Sequence, residues 1–196
     1  MSGPDFVTNQ PPVRAGALLI ASTAMSGPTF ARTVIYIIEH DEQGTLGVVL
    51  NRMSDAAVYN VLPAWAGLAA SPPAVFVGGP VSTSSALCLG VAKTGVDMSQ
   101  QPKLHQVVGP VAMVDLDADP DEMAHVLNGI RIFAGYAGWD AGQLDDEIAE
   151  GSWIVAPGLP SDLLSAPAVD VWQRVLRRQP WPLPLLSTYP LHPEEN

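Results

Sequence analysis

The sequence predicts an α+β fold built as a mixed β-sheet sandwich. Three observations point that way. Strand-like segments come first and helices enter in the second half, without the strict strand–helix alternation of a doubly wound sheet. Only 15% of the 196 residues are charged while 47% are hydrophobic, which suits strands buried on both faces. The longest apolar runs, such as Val34-Ile35-Tyr36-Ile37-Ile38, have strand length and fall far short of the ~18 residues of a membrane span.

The elements follow in order. Residues 1–14 carry Pro4, Pro11 and Pro12 and read as a loose arm. Gly16 to Ala21 is a first strand. Thr33 to Glu39 and Leu46 to Leu50, both rich in β-branched and apolar residues, form a hairpin across the turn Asp41-Glu42-Gln43-Gly44. Residues 55–68 have a helical pattern that Pro63 interrupts. Ala74 to Val77 is a short strand stopped by Gly78-Gly79-Pro80. Ala86 to Val91 is another strand, and so is Val107 to Val114, where Pro110 marks an edge or bulge.

Asp119-Pro120-Asp121-Glu122 has the N-cap acid, first-turn proline and third-position Glu of a helix start, and Met123, Val126 and Leu127 follow at helical spacing. Ile130 to Ala134 is a strand. Asp140 opens a second helix with Leu144 and Ile148 on its inner face, and Gly151 ends it. Trp153 to Ala156 is a strand. A last helix runs from about Pro167 to Arg178, with Val169, Trp172, Val175 and Leu176 on one face. Past it, Pro180, Pro182, Pro184, Pro190 and Pro193 leave no room for regular structure. The expected layout is one domain over 15–178 and a Pro-rich tail over 179–196.

Charge and cysteine content narrow the function. Nine Lys and Arg against 20 Asp and Glu give a net charge of −11, which argues against a phosphate-binding surface and so against direct nucleic-acid binding. Cys88 is alone, so no intramolecular disulfide is expected. The opening MSGPDFVTNQPP has no basic start followed by an apolar stretch, so no signal peptide is expected and the reading is a cytoplasmic protein.

Each candidate for chemistry has a plain structural counterpart. His40, beside Asp41 and Glu42, has the surroundings of an oriented general base; a strand-end His bonded to the backbone is the plainer explanation. Asn51-Arg52 closes a strand, where Arg52 could hold an anion or the pair could cap a turn. Gly78-Gly79-Pro80 could gather backbone N–H groups around an anion, yet tight-turn sterics account for it without a ligand. Cys88 sits between Leu87 and Leu89 with no positive neighbour, as a buried inert thiol would. Asp115, Asp117, Asp119 and Asp121 alternate like a calcium loop, but Pro120 and Val126 stand where the loop needs Gly and Glu. His40, His105, His125 and His192 lack metal-ligand spacing, so neither a metal nor a cofactor is expected. Arg174, Arg177 and Arg178 read as the solvated face of the last helix.

The segment Gly135-Tyr136-Ala137-Gly138-Trp139-Asp140-Ala141-Gly142-Gln143-Leu144 is more particular than an ordinary turn. It resembles the signature of the YqgE/AlgH family of bacterial proteins. Gly16 to Ala21 with Met25 and Phe30, the hairpin Val34 to Arg52, Phe76-Val77-Gly78-Gly79-Pro80, and Trp153 and Trp172 resemble further motifs of that family in the same order, over about residues 15–177. The chain departs from it at Ser22-Thr23, where a Pro is usual, and at Gly44-Thr45-Leu46-Gly47, where Gly-Ala-Met-Gly is common. The resemblance implies a bifurcated, partly barrel-like mixed sheet flanked by helices. It also implies a protein often labelled a transcriptional regulator, with no established enzymatic activity or cofactor.

The expected function is therefore a non-enzymatic binding or regulatory module. His40, Asn51, Arg52, Gly78, Gly79, Pro80, Tyr136, Trp139 and Gln143 are expected around a shallow cleft for a protein or small-molecule partner. The alternatives are a hydrolase using His40 with Cys88 or a water, and a regulator acting on DNA.

Overall fold

The computed structural model describes residues 10–166 and 170–189. Its strands are β1 (Ala17–Ala21), β2 (Val34–Asp41), β3 (Gly44–Val49), β4 (Met53–Ala57), β5 (Ala74–Val77), β6 (Val81–Ala92), β7 (Leu104–Val108), β8 (Val111–Val114), β9 (Leu127–Asp140) and β10 (Trp153–Pro157). The α-helices are α1 (Val58–Val61), α2 (Pro120–Val126), α3 (Gln143–Ala149), α4 (Pro160–Leu164) and α5 (Val171–Arg177). The strands form one mixed sheet in the order β10-β1-β2-β3-β9-β6-β8-β7, with β5 pairing β9 in parallel and β4 pairing β5.

The sheet divides along β9. On one side β9 runs antiparallel to β6. On the other it pairs with β5 over Ile132–Ala134, then with β3 over Ala137–Asp140. Glycine makes the exchange of partners possible. Gly135 has φ +71°, and a Cβ there would lie 2.6 Å from the Gly79 carbonyl and 2.7 Å from that of Val81. Gly78 bridges the seam, donating to Ala134 O at 2.9 Å and accepting from Val49 N at 2.8 Å. The α+β class and the partly barrel-like, bifurcated sheet implied by the resemblance are both present.

β1 is buried along its whole length because it has core on both faces. Leu18 and Ile20 join Val34, Tyr36, Phe76, Leu89, Phe133, Trp172 and Leu176 in the cluster that α5 covers. Ala17, Leu19 and Ala21 join Ile35, Ile37, Trp139, Leu144, Trp153 and Val155 under α3. Period-2 alternation over two hydrophobic faces yields the unbroken apolar runs seen in the sequence. A third cluster, with Trp65, Cys88, Met123 and Ile132, lies under α1 and α2.

Five local expectations are corrected. Residues 55–68 are not one helix: they continue β4 into the single-turn α1 and a 3₁₀ turn at Pro63–Trp65. Val107–Val114 is two strands, β7 and β8, that pair as a hairpin across Gly109-Pro110, where Gly109 takes φ +52°. The strand expected to end at Ala134 runs on to Asp140, so the signature segment is mostly strand rather than turn. Its β-ladder with β3 outweighs the turn propensity of its glycines. The tail forms a 3₁₀ helix at Leu183–Thr188, where Leu183 and Leu186 gain burial against the α5 cluster. The helix α4 was not expected at all. Of the last helix, the described part is Val171–Arg177; Pro167 and Val169 lie outside the described residues.

Candidate functional site

β2, β3 and β9 lie side by side, and their register sets His40 opposite Thr45 and Thr45 opposite Trp139. Directly opposed residues of antiparallel strands project to the same face, so the three form one row. His40 Nδ1 and Thr45 Oγ1 are hydrogen-bonded at 2.7 Å. Three adjoining grooves open around this row. One of about 420 Å³ is lined by Glu39, Asp41, Tyr136, Trp139 and Asp140. A second, about 380 Å³, has His40, Asp41, Glu42 and Asp145. The third, about 620 Å³, has Phe30, Pro80, Trp139, Gln143, Glu147 and Trp153. The first two share Asp41, Gly44 and Thr45; the first and third share Gly138 and Trp139.

The grooves thus bring together Tyr136, Trp139, Gln143, Pro80 and His40. The other four candidates serve the frame. Asn51 clamps the end of β2, accepting from Val34 N at 3.0 Å and donating to Arg32 O at 2.8 Å. Arg52 donates to the carbonyls of Pro28 and Ala31 at 3.0 and 3.2 Å, tying down the loop after β1. Gly78 and Gly79 are buried, and a Cβ on either would collide with the backbone of β9 at Gly135 or Tyr136. Close strand approach accounts for the glycine pair.

A pairing of His40 with Cys88 is ruled out as a covalent mechanism. Cys88 is 3% exposed in the cluster under α1 and α2, while His40 is tied to Thr45. Burial pushes the Cys88 thiol up to about 12, so it stays protonated and a poor nucleophile at neutral pH.

The comparisons with known proteins agree with this architecture. A family model described as AlgH-like matches residues 18–184. A UPF0301 protein of Mycolicibacterium gilvum is 56% identical over 184 residues, covering 94% of this chain and 90% of the relative. The chain belongs to the YqgE/AlgH family. A UPF0301 protein of Mycobacterium avium is 57% identical, covering 94% of this chain and 92% of its own. A crystal structure of a protein from Corynebacterium diphtheriae superposes with a TM-score of 0.89 at 44% identity, covering 93% of this chain and 95% of that one. The solution structure of AlgH from Pseudomonas aeruginosa gives a TM-score of 0.64 at 29% identity, covering 97% of both chains.

Three charged residues of this YqgE/AlgH chain organise the surroundings and were not among the site residues expected from sequence. Glu147, on α3, accepts from the indole N–H groups of Trp139 and Trp153 at 2.9 and 2.8 Å and from Gln143 at 3.0 Å. Its spacing of four from Gln143 was the available signal. Arg131, 2% exposed, donates to the carbonyls of Ala70, Ser71, Pro72, Leu163 and Ser165 and stacks 4.3 Å over Phe76. Burial lowers its guanidinium to about 10, still above neutral pH, so it enters this carbonyl cage as a cation. Asp162, 4% exposed, takes a bidentate pair from Arg178 at 2.7 and 2.6 Å, with Arg174 at 3.8 Å. Arg174 and Arg178 are therefore engaged with a buried carboxylate, a correction to the solvated face expected of them.

The alternating aspartates also have structural work. Asp115 pairs with Lys103 at 2.8 Å, and that contact holds its carboxyl below the usual range. Asp119 caps α2. Among the described residues, no group of three His, Cys, Asp or Glu side chains is placed to hold a metal, and no helix is long and apolar enough to cross a membrane.

Proposed function

We propose that this YqgE/AlgH protein is a non-enzymatic binding or regulatory module that docks a protein or small molecule in the cleft beside β3 and β9. The observation that carries the reading is the sharing of Trp139 between two grooves, with Tyr136 on one side and Gln143 on the other. Large amphipathic rings and a few convergent polar groups on strands held by core on both faces make a preformed recognition surface. His40 extends that surface across Asp41 and Thr45. Asn51, Arg52, Gly78 and Gly79, expected to line the cleft, support it from behind by fixing the loop and strands that carry it.

The charge distribution speaks against a regulator that touches DNA directly. The net charge is −11, and two of the three arginines of the last helix are turned to Asp162. A reducing, cytoplasmic setting suits the lone buried Cys88, which has no partner for an intramolecular disulfide.

The test is capture of metabolites and proteins from the native cell by the wild type and by Tyr136→Ala, whose half-buried ring lines the cleft. Ligands held by the wild type and lost by a folded Tyr136→Ala support the reading. Ligands held equally by both contradict it.

A further inference from the structure

Phe30, Trp153 and Trp139 stand edge to face in a row, with ring centroids 5.7 and 6.0 Å apart and interplanar angles of 73° and 82°. All three line the groove of about 620 Å³, together with Met25, Gln143 and Glu147. Glu147 is the one charged residue of that lining, and no Lys or Arg shares it. Its carboxylate is held by three neutral donors: two indole N–H groups and the Gln143 amide. An ionised carboxylate has about four acceptor positions. Three are occupied, so the group is fixed in place while, among the described residues, no cation stands beside its charge in the groove. Among the described residues, Glu147 enters none of the ion pairs.

Aromatic rings attract cations through the negative potential of their faces, and most strongly where water is excluded. A fixed, uncompensated carboxylate among them adds a Coulomb attraction in surroundings poorer in water than the open surface. An anion would meet repulsion here, and a neutral apolar group would leave the charge unused. We infer that this groove binds the quaternary ammonium head group of a small molecule. A quaternary ammonium is weakly hydrated and presents methyl groups to the rings, so it loses little on leaving water and needs no hydrogen-bond acceptors. A groove of this volume is of the size that holds a small ligand. The inference rests on the binding reading above and assigns a ligand class to the α3 side of that cleft.

Tetramethylammonium chloride is the probe, titrated into ¹⁵N-labelled protein at constant ionic strength, with the indole N–H signals of Trp139 and Trp153 as readout. The isosteric neutral alcohol 2,2-dimethylpropan-1-ol is the control. The expected result is saturable movement of these two signals, with the cation binding at least about tenfold more tightly than the alcohol. Glu147→Gln weakens the cation about tenfold and leaves the alcohol unchanged; Phe30→Leu, which leaves the Glu147 hydrogen bonds intact, weakens the cation severalfold in a folded chain. Equal binding of cation and alcohol, or no movement of either signal, overturns the inference. A trimethyllysine peptide that binds more tightly than choline overturns the small-molecule source. If these probes fail while a captured ligand still depends on Tyr136, the cation is wrong and the binding reading stands.

Discussion

Trp139 and Trp153, fourteen residues apart in the chain, donate their indole N–H groups to the same oxygen of Glu147, at 2.9 and 2.8 Å. The pair also meets edge to face. This one carboxylate fastens α3 to β9 and β10 at once and gives the cleft its floor.

Glu147→Leu is accordingly expected to leave both indole donors without an acceptor, Trp153 in a setting only 1% exposed. An orphaned buried donor costs ~1–3 kcal/mol, so the variant should lose ~2–4 kcal/mol of stability. Urea unfolding measures it. A loss under ~0.5 kcal/mol would mean that water takes over both donors.

The seam of the sheet makes a sharper steric prediction. Gly78→Ala drives a methyl group into the Gly135 carbonyl, and Gly135→Ala adds a Cβ at φ +71° against two carbonyls. Each should cost more than ~2 kcal/mol or abolish soluble expression. Gly27→Ala and Gly67→Ala, where a Cβ meets nothing within 4 Å, are the controls and should stay near wild type in denaturant midpoint.

Arg131→Lys should behave as a severe change despite keeping the charge. A lysine cannot reproduce the planar fork that serves five carbonyls and covers Phe76. Because a buried cation loses most of its acceptors, a cost of ~3 kcal/mol or more is expected. Hydrogen exchange should show the loosening first at the amides of Ala70 and Ile130, which donate to Ile130 O and Leu68 O.

Alkaline pH should weaken the fold in a defined window. Burial raises Cys88 from 9.0 to about 12, and burial followed by the charge of Asp162 raises Tyr36 from 10.0 to about 12. Above pH 9 the unfolded chain releases the thiol proton, and above pH 10 the phenol proton, while the folded chain keeps both. Stability therefore falls as pH climbs from 9 toward 12. Urea midpoints at pH 8, 9.5 and 11 check the direction. Maleimide labelling of Cys88 at pH 8 should be slow until the chain unfolds.

The strands near the hairpin were legible because β1 and the first five residues of β2 have core on both sides and so carry apolar residues without interruption, and β3 ends in the apolar pair Val48-Val49. Helix α2 was legible from its capping residues. The signature segment was misread because its glycines suggest turns; they serve close strand approach, which depends on partners far away in sequence. Leu144 was expected on the inner face of its helix and is buried, at 2% exposed. The roles of Asn51 and Arg52 depend on backbone carbonyls and amides up to 24 residues away, and Glu147 and Arg131 depend on three-dimensional neighbours. Apart from the i, i+4 spacing of Gln143 and Glu147, no periodicity or capping motif marks such contacts.

The most direct test of the central claim, that the cleft at β3 and β9 is where this protein binds, is an amide and indole NMR titration with the small-molecule fraction of its native cell. The account predicts shifts concentrated at Thr45, Tyr136, Trp139 and Gln143, absent in a folded Tyr136→Ala variant. Shifts confined to strands other than β2, β3 and β9, or unchanged by that substitution, would contradict it.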